Sequence, residues 1–523
     1  MSTKLQQNYK KLNFIHPFLF SLFPVLFIYS QNVHELPVQE IILPVLSILS
    51  AAVLMWFFAR FITKNNEKSG FIISLLLVLS FSYGHIYLLV DDFTLGNSDV
   101  GRHQYLLIPF AISFIAGTYY FVKTKRRLNN ASTITTAIAA TLLVIITINI
   151  VAYNMENIDS VDSKIITSNT SLDVIDPNTI TLPSNMDEIK NYPDVYYIIL
   201  DGYMSSNSLK EFLNHDNQEF ISYLTDKGFN INHNSYSNYP SSNLSIISTL
   251  HMKYLNFLDN EQVGQVQIPK KMFIENTVMQ NFKSAGYKII NIQRPFPFIS
   301  SESLFDSTTC ERNEYIDSEL FSMTIKTSIL VFLLEKWEEH ELREAALCNF
   351  SELTIQQQKF NEPIFVFSHI LIPHPPYIFG PDGESVSSVR PQGLESWEDQ
   401  EGYINSVKFA NKKIQLVVEE LLNNTKDPPV IIIQADHGIG FDFEPSNPNK
   451  EGITQKMSIF SAYYLPGIEK NPSYDIITPV NTFRIIFNSY FNTDYDLLEN
   501  KMYLTDDNSA DYFIDVTDVL TSP

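Results

Sequence analysis

The chain has 523 residues, which is enough for two or three ordinary domains. It is acidic, with 58 Asp and Glu residues against 36 Lys and Arg, and the imbalance is uneven. Up to Val151 the sequence holds eleven basic and six acidic residues, which leaves 25 basic and 52 acidic residues in the remainder. Because so anionic a surface repels a phosphate backbone, the second part is not expected to bind nucleic acid.

Five apolar stretches in the first part are each near the ~20 residues that a membrane-spanning helix needs. They are residues 14–30, 36–62, 70–90, 105–122 and 133–153. The first contains Pro17 and Pro24, and it could instead be a cleaved signal peptide. No A-x-A-like cleavage site follows it and four further spans do, so we expect five transmembrane helices.

The basic residues of this part predict its orientation. Ten of the eleven lie before the first stretch, between the second and third, or between the fourth and fifth, and only Arg102 lies in the other two loops. The positive-inside rule assigns the basic side to the cytoplasm. We therefore expect an integral plasma (inner) membrane protein with a cytoplasmic N-terminus. Its predicted parts are a transmembrane region (1–154), a polar linker (155–192) and an extracytoplasmic domain (193–523).

The exported part alternates apolar strands with helical patterns. The strand candidates are Val195–Leu200, Lys288–Ile292, residues 363–372 and Val430–Gln434. The helical patterns are residues 209–226, 273–285 and 403–423. Strands that are apolar along their whole length indicate a mostly parallel sheet covered on both faces, which is an α/β layered domain. Ligands collect at the carboxyl ends of the strands in such folds.

Two features of the exported part leave alternatives open. Residues 327–334 are apolar but too few to span a bilayer, so they form either a core helix or an element lying on the membrane. We expect the core helix. Cys310 and Cys348 are the two cysteines of the chain, and outside the cell they are candidates for a disulfide; the alternative is two separate thiols.

Acidic residues and a histidine follow two of the predicted strands. Asp436 and His437 come directly after Val430–Gln434 and an alanine, and Asp201 follows Val195–Leu200 in the same way. Carboxylate and imidazole together suit Zn²⁺ or Mn²⁺. An Asp-His pair alone is more often a solvated turn, but the second carboxylate at the same sheet edge favours a metal site.

A hydroxyl could complete this set, because a metal-bound hydroxyl is also an activated nucleophile. Ser241 and Ser242 precede an apolar, helix-compatible run within residues 238–250. A serine at a helix N-terminus lies where free N–H groups favour an anion such as phosphate. A plain N-cap serine would satisfy the same pattern.

The order of Asp201, a hydroxyl about forty residues later and Asp436-His437-Gly438 resembles the alkaline phosphatase/sulfatase superfamily. More closely, it is similar to the membrane-anchored branch with lipoteichoic acid synthases and phosphoethanolamine transferases, which have about five N-terminal spans. The segments SNYPSSNLS, SHILIPHPPY, IIIQADHG, SAYYLPG and TPVNTFRIIFNSYF carry the resemblance. It implies an alkaline-phosphatase-like α/β/α sandwich and a single divalent metal ion, Zn or Mn, with Mg or Ca as further possibilities.

The resemblance also implies roles for single residues. Asp201, Asp436 and His437 match metal ligands, and Ser242 matches the nucleophile that completes the ligand set, with Ser241 as its alternative. The nucleophile is usually threonine in the transferases. Three further residues match substrate contacts or their support, namely His374 in the H-x-P-aromatic stretch, Arg294 as a phosphate-binding arginine in surroundings that match poorly, and His369 as a support for His374 or a structural histidine.

Two departures from the family narrow the expected reaction. Neither Cys310 nor the serine pair lies in the C/S-x-P-x-R motif of formylglycine sulfatases, and no histidine follows His437, which fits one metal rather than two. We therefore expect transfer of a phosphoryl-type group, such as phosphoglycerol or phosphoethanolamine. The donor would be a membrane lipid or lipid-linked molecule and the acceptor a cell-envelope glycan or lipid. The alternatives are a sulfuric or phosphoric ester hydrolase on the same site and an inactive binding or sensor protein.

Overall fold

The computed structural model divides the chain into two compact units, residues 1–176 with 313–338 and residues 177–312 with 339–523. It describes residues 14–522 apart from fifteen gaps. The gaps are residues 34–35, 37, 91–93, 96–97, 100–102, 169–191, 259–271, 293–304, 311–317, 387–398, 424–426, 442, 444–447, 469–476 and 506–512.

The first unit is built from long apolar helices. They are α1 (His16–Gln31), α2 (Ile42–Thr63), α3 (Asn66–Val90), α4 (His103–Lys123) and α5 (Asn129–Ser168), with a 3₁₀ turn at Val38–Ile41 and a short antiparallel pair of β1 (Thr94–Leu95) and β2 (Ser98–Asp99). Among the described residues, four helical stretches are long and apolar enough to cross a membrane, namely Val38–Thr63, Asn66–Tyr87, Tyr105–Lys123 and Asn129–Ala152. The remaining predicted span, residues 14–30, corresponds to α1, which has only 16 residues.

Helix α1 nevertheless packs along α3 through both polar and aromatic contacts. Nδ1 of His16 lies 2.6 Å from Oγ of Ser74, and both side chains are buried. The ring of His16 also packs on that of Phe71 in α3 with a centroid distance of 4.8 Å. A polar pair inside an apolar helix bundle stabilises packing because neither group has water to bond to.

Residues 313–338 belong to the first unit, although they lie between two stretches of sequence that belong to the second. They contain α10 (Glu319–Lys326) and the start of α11 (Val331–Leu353). Val331 is buried in a cluster with Tyr83, Tyr87 and Phe110 of the membrane helices. The expectation that residues 327–334 form a core helix of the second unit is therefore wrong, because Ile329 and Val331 pack on the membrane helices instead.

The second unit is an α/β domain around one seven-stranded sheet. Its strands are β3 (Val195–Leu200), β4 (Asn230–Ile231), β5 (Lys288–Ile292), β6 (Ser307–Thr309), β7 (Ile364–Ile370), β8 (Val430–Gln434) and β9 (Ser461–Tyr464), in the order β4-β9-β8-β3-β7-β5-β6. Neighbours from β8 to β6 pair in parallel, and β9 is antiparallel to β8 and β4. The predicted mostly parallel sheet is confirmed.

Helices cover both faces of this sheet. They are α6 (Ser206–Leu213), α7 (Gln218–Asp226), α8 (Ser242–His251), α9 (Thr277–Ser284), the end of α11, α12 (Gln400–Asn423), α13 (Lys450–Met457), α14 (Thr482–Tyr490) and α15 (Thr517–Thr521). Short 3₁₀ turns lie at Gln356–Lys359 and Pro479–Asn481, and β10 (Tyr503–Thr505) pairs with β11 (Phe513–Asp515). Tyr196 and Ile198 enter one core cluster, whereas Tyr197 and Ile199 enter the other. Burial on both faces explains why these strands are apolar throughout.

Several elements differ from the expectations. The helical pattern over 209–226 is two helices, because Asn214 adopts a left-handed conformation (φ 50°) and ends α6. Strands β4, β6 and β9 were not predicted from the sequence, and they are two to four residues long. Cys310 and Cys348 form a disulfide in the structure, with Cα atoms 5.9 Å apart.

Candidate metal centre

The carboxyl ends of three adjacent strands bring the candidate residues together. In the parallel register Ile199 of β3 is opposite Gln434 of β8 and His369 of β7. Asp201 lies two residues after Ile199, and Asp436 lies two residues after Gln434. The two aspartates therefore follow their strands at the same edge of the sheet. The backbone N–H of Asp201 donates to the carbonyl of Ile370, 3.0 Å away, which fixes this end of β3 against β7.

The carboxylate of Asp436 is oriented by backbone donors. Its Oδ1 accepts hydrogen bonds from the N–H groups of Gly202 (3.2 Å) and His437 (2.9 Å). Its Oδ2 is buried and makes no hydrogen bond within the described residues, as is also true of Oδ1 of Asp201. Buried carboxylate oxygens cost free energy without a partner, and a bound cation is the usual partner.

The imidazole of His437 has a defined tautomer. Nδ1 lies 2.9 Å from the carbonyl oxygen of Gly438, and because a carbonyl only accepts, Nδ1 carries the proton. Nε2 is thus left with its lone pair. It lies 3.7 Å from Oδ1 of Asp201 and 3.7 Å from Oδ2 of Asp436. An Nδ1–H bonded to a backbone carbonyl is the usual orienting contact of a metal-binding histidine.

The residues present fit a divalent cation. One atom each from Asp201, Asp436 and His437 lies within 4.8 Å of the others, and all three side chains are buried. Two carboxylate oxygens and one imidazole nitrogen form a mixed donor set that suits Zn²⁺ or Mn²⁺. The arrangement can therefore hold one such ion, without showing which.

Ser242 lies beside this set at the beginning of α8. Its hydroxyl donates to Nε2 of His437 at 3.2 Å. Ser241 is exposed at the N-cap position and its side chain makes no cap bond there. The geometry thus brings Ser242, rather than Ser241, to the three candidate ligands.

His369 is buried beneath the two carboxylates. Its Nε2 lies 3.1 Å from Oδ2 of Asp201 and 3.7 Å from Oδ2 of Asp436. Burial would lower the pKa of His369, but the two carboxylates raise it to about 9. The ring therefore contacts the candidate ligands themselves, and its surroundings are polar rather than those of an ordinary core histidine.

The same contacts change the pKa of the carboxyl groups. Burial would raise the pKa of Asp436, but His437 and His369 hold it well below its ordinary value. Burial and Asp436 would raise the pKa of Asp201, yet His374 and His369 lower it. Burial lowers the pKa of His437. All three groups are thereby kept in the deprotonated forms that bind a cation.

Two predicted substrate contacts have different outcomes. His374 lies near the site, with its ring centroid 6.4 Å from that of His437, and its Nδ1–H donates to the carbonyl of Pro375 at 2.6 Å. Arg294 lies outside the described residues.

Helix α13 packs against the turn that follows His437. The N–H of Gly438 donates to the carbonyl of Lys456 at 2.8 Å. A Cβ at Gly438 would lie 2.6 Å from the carbonyl oxygen of Ser458 and would also collide with that of Gln455. Only glycine allows this approach, which explains the residue after the Asp-His pair.

This packing brings Lys456 to the site, which the sequence analysis missed. Its side chain is half-buried, and the pKa of its ammonium is lowered by burial against the opposing effect of Asp436 and Asp201. Lys456 also acts electrostatically on His437. No motif surrounds it in the sequence, since it lies in a short helix whose position follows only from the fold.

Tyr403 of α12 was also missed. Its hydroxyl donates to the carbonyl of Gly202 at 2.9 Å and accepts from the N–H of Met204 at 2.9 Å. It thus fixes the turn that carries Asp201. An aromatic residue in an amphipathic helix gives no sequence signal for such a role.

The geometry thus defines the class of protein. It is an α/β protein with a mostly parallel sheet and a buried acidic site at the carboxyl edge of that sheet. A family model described as Sulfatase matches residues 193–483. The match covers more than half of the chain, and the chain belongs to the sulfatase family. The resemblance to the alkaline phosphatase/sulfatase superfamily is confirmed, and members of that superfamily are phosphotransferases and hydrolases.

No curated protein matches the chain. The similar solved structures include the periplasmic domain of EptC from Escherichia coli (12% identity, 62% of this chain, 93% of that chain, TM-score 0.41). They also include the integral membrane lipooligosaccharide phosphoethanolamine transferase EptA from Neisseria meningitidis (10%, 91%, 95%, 0.38). A third is the lipoteichoic acid synthase LtaP from Listeria monocytogenes (13%, 58%, 74%, 0.37). At these identities and TM-scores the likenesses assign no substrate.

Proposed function

We propose that the protein is a membrane enzyme that transfers a phosphoryl-type group through a covalent intermediate on Ser242. One observation carries the proposal: the Ser242 hydroxyl lies 3.2 Å from Nε2 of His437, at the edge of a buried Asp-Asp-His set. A nucleophile in contact with metal-binding groups at a helix N-terminus is suited to attack an anionic ester.

We further propose five spans and an extracytoplasmic catalytic domain. Helix α1 packs along α3 and α5, which supports its position as a spanning helix despite its length. The basic residues of the loops support the orientation. The site would then face the outer membrane surface, where lipids and envelope polymers are available as substrates.

Asp201, Asp436, His437 and Ser242 would hold the ion. When bound, a divalent cation lowers the pKa of the serine hydroxyl and offsets charge on phosphoryl oxygens. The Asp436 and His437 side chains are oriented beforehand by backbone hydrogen bonds, so little reorganisation is needed. The backbone N–H groups at the start of α8 and the ammonium of Lys456 would bind the oxygens of the transferred group.

The proposed reaction has two steps. In the first, Ser242 reacts as the alkoxide, its hydroxyl proton having passed to solvent: Oγ bonds to phosphorus, the bond from phosphorus to the donor alcohol breaks, and protonated His374 gives its proton to the leaving oxygen. In the second, the acceptor hydroxyl attacks phosphorus while His374 takes its proton, the bond from phosphorus to Oγ breaks, and Ser242 leaves as the alkoxide. His374 is suited to this role because its ring centroid lies 6.4 Å from that of His437, and because the hydrogen bond from Nδ1 to the carbonyl of Pro375 orients the ring.

The transferred group is proposed to be phosphoglycerol, phosphoethanolamine or a similar unit. The donor would be a membrane lipid or lipid-linked molecule, and the acceptor an envelope glycan or lipid. Zinc or manganese is the proposed ion. The name of EptA describes phosphoethanolamine transfer and that of LtaP describes lipoteichoic acid synthesis for those proteins, and lipid donors are accordingly the first to test.

Mass spectrometry of the intact protein tests the proposal. After incubation with phosphatidylethanolamine or phosphatidylglycerol, the mass added at Ser242 should equal that of the headgroup phosphoryl unit. Ser242→Ala should show no added mass. Release of the free headgroup phosphate, with no labelled glycan or lipid product, would instead support a hydrolase. Absence of bound metal and of any adduct would support an inactive binding protein.

A further inference from the structure

One segment from the middle of the second part of the sequence packs on the membrane helices. Residues 319–331, called the docking insertion below, belong to the first unit, whereas the sequence on either side of residues 313–338 belongs to the second. Leu320 of α10 is fully buried in this contact. The cluster around it contains Val25, Ile28, Tyr29 and Leu36 of the membrane region.

The backbone of the insertion lies directly on helix α3 at Gly84. The N–H of Gly84 donates to the carbonyl of Thr327 at 3.1 Å, although Gly84 lies inside the helix. A Cβ at Gly84 would lie 2.7 Å from Cα of Thr327 and would also collide with the carbonyl oxygen of Lys326. Glycine inside a helix is less favourable than alanine. Here the missing side chain forms a notch that the insertion fills.

The contact continues beyond the notch. Val331 packs with Tyr83, Tyr87 and Phe110, and Ile329 lies against the same cluster. The insertion therefore meets the membrane helices through apolar side chains on both sides of a backbone hydrogen bond. Such close approach at a small residue is how helices in membranes recognise a packing partner.

All of these contacts are at one end of the helix bundle. They involve the second half of α1, the turn at Val38–Ile41, the end of α3 and the start of α4. The basic loop after α2, with Lys64 and Lys68, lies at the other end of the same helices. An exported segment should contact the outer ends, so the location agrees with the orientation proposed from charge.

The disulfide brackets the segment that leaves the second unit. Cys310 precedes it, Cys348 follows it on α11, and the two are separated by 38 residues. Cys310 packs against the core of the exported domain. The disulfide therefore joins the two ends of the segment that contains the docking insertion, and Cys310 packs these ends on the core of the catalytic domain. The insertion is thus covalently and sterically fixed to that domain at both ends.

We propose that the docking insertion is a second attachment of the exported domain to the membrane region, with the notch at Gly84 as its binding surface. Because the chain enters and leaves the insertion from the catalytic domain, the docking adds to the chain connection through residues 155–192, and it would support reaction with membrane-embedded donors. Chemistry on small soluble esters would not require it. The first part of this proposal stands on the contacts alone, and the second rests on the proposed function.

Crosslinking in membranes tests the docking without any assay of activity. Leu79 and Ile329 lie against the same cluster, so Leu79→Cys with Ile329→Cys should be joined by a short bismaleimide. Phe61→Cys with Ile329→Cys is the control and should not react, because Phe61 is exposed at the opposite end of the bundle. Equal crosslinking of the two pairs, or none of the first, would overturn the docking.

Gly84→Ala tests the notch, with Gly117→Ala as its matched control. An added Cβ meets the backbone of the insertion at Gly84, but only the end of the Leu75 side chain at Gly117. Gly84→Ala should reduce crosslinking at least fivefold and turnover of a phospholipid donor in vesicles at least tenfold. Hydrolysis of bis(p-nitrophenyl) phosphate should stay within twofold, and Gly117→Ala should change neither reading by more than twofold.

Leu320→Asn provides a second variant within the insertion itself, in case the membrane helices do not tolerate Gly84→Ala. Like Gly84→Ala, it should reduce turnover of the phospholipid donor at least tenfold and leave hydrolysis of bis(p-nitrophenyl) phosphate within twofold. Lost crosslinking with unchanged lipid turnover would overturn the functional part of the proposal. An absence of all turnover in the unaltered protein would instead remove the proposed function, while the crosslinking result would still decide the docking.

Discussion

Nε2 of His369 lies 3.1 Å from Oδ2 of Asp201, directly beneath the candidate metal centre. The same atom is 3.7 Å from Oδ2 of Asp436, so one buried ring contacts both candidate carboxylate ligands. Contacts of this kind fix the direction of ligand oxygens and tune their charge. A histidine in an apolar strand would otherwise be read as a core residue.

We expect His369→Gln to weaken zinc binding about 10- to 100-fold, the range found when an orienting partner of a metal ligand is removed. His233→Gln is the control, since His233 is exposed. Competition with a chelator on the full-length protein measures the affinity. An unchanged zinc affinity in His369→Gln would show that the ring does not orient the ligands.

The metal-free protein should lose stability between about pH 6.5 and pH 9. The two carboxylates raise the pKa of His369 to about 9 in the folded state, against 6.5 as its ordinary value. A raised pKa gives stability that is fully present below pH 6.5 and is lost as the pH rises through 9. The difference corresponds to about 3 kcal/mol.

Thermal unfolding at several pH values checks this prediction. The loss should be absent from His369→Gln, which cannot take up the proton. It should also shrink when zinc is bound, because the cation replaces the proton as the partner of the carboxylates. If stability fell equally steeply with pH in the unaltered protein and in His369→Gln, the prediction would be wrong.

Ser242→Ala should lower kcat at least about 1,000-fold while leaving bound metal in place, because the remaining three ligands still hold the ion. Ser241→Ala is the matched control on the neighbouring residue and should keep activity within about threefold, since its side chain makes no cap bond. Ser242→Thr should keep measurable turnover. Metal analysis accompanies each assay, and a severe defect in Ser241→Ala alone would reassign the nucleophile.

Gly438→Ala should destabilise the second unit by about 1–3 kcal/mol, because the new Cβ would meet the backbone carbonyls of Gln455 in α13 and of Ser458 directly after it. Gly286→Ala is a useful comparison. Nothing lies within 4 Å of its Cβ position, so only its positive φ of 85° opposes alanine. Denaturant unfolding separates a steric cost from a conformational one, and a smaller effect at Gly438 than at Gly286 would contradict this explanation.

The sequence predicted those parts of the structure that depend on local patterns. Continuous apolar runs such as Val430–Gln434 require burial on both faces, and the residues directly after them must lie at one sheet edge, so Asp201 and Asp436 could be placed together. Position in space beyond neighbouring strands could not be obtained in this way. An apolar segment such as residues 327–334 is compatible with a protein core and with an element at the membrane, and the sequence does not show which surface it contacts.

Lys456 illustrates the same limit, and it provides the last prediction. It is brought to the site only because the carbonyl of Lys456 accepts a hydrogen bond from Gly438. If its ammonium binds the oxygens of the transferred group, Lys456→Gln should weaken phosphate binding to the zinc-loaded protein about tenfold. Lys456→Arg should retain part of that affinity, because it keeps the charge but changes the geometry.

Lys450 is the matched control, since it lies on the same helix but is exposed and bonds to the carbonyl of Ser522. Lys450→Gln should leave phosphate binding unchanged. Zinc content should be equal in all variants, because Lys456 acts on the site by charge and contributes no ligand. Isothermal titration with inorganic phosphate gives the affinities. A tenfold loss of zinc with unchanged phosphate binding would mean that Lys456 supports the metal site rather than the substrate.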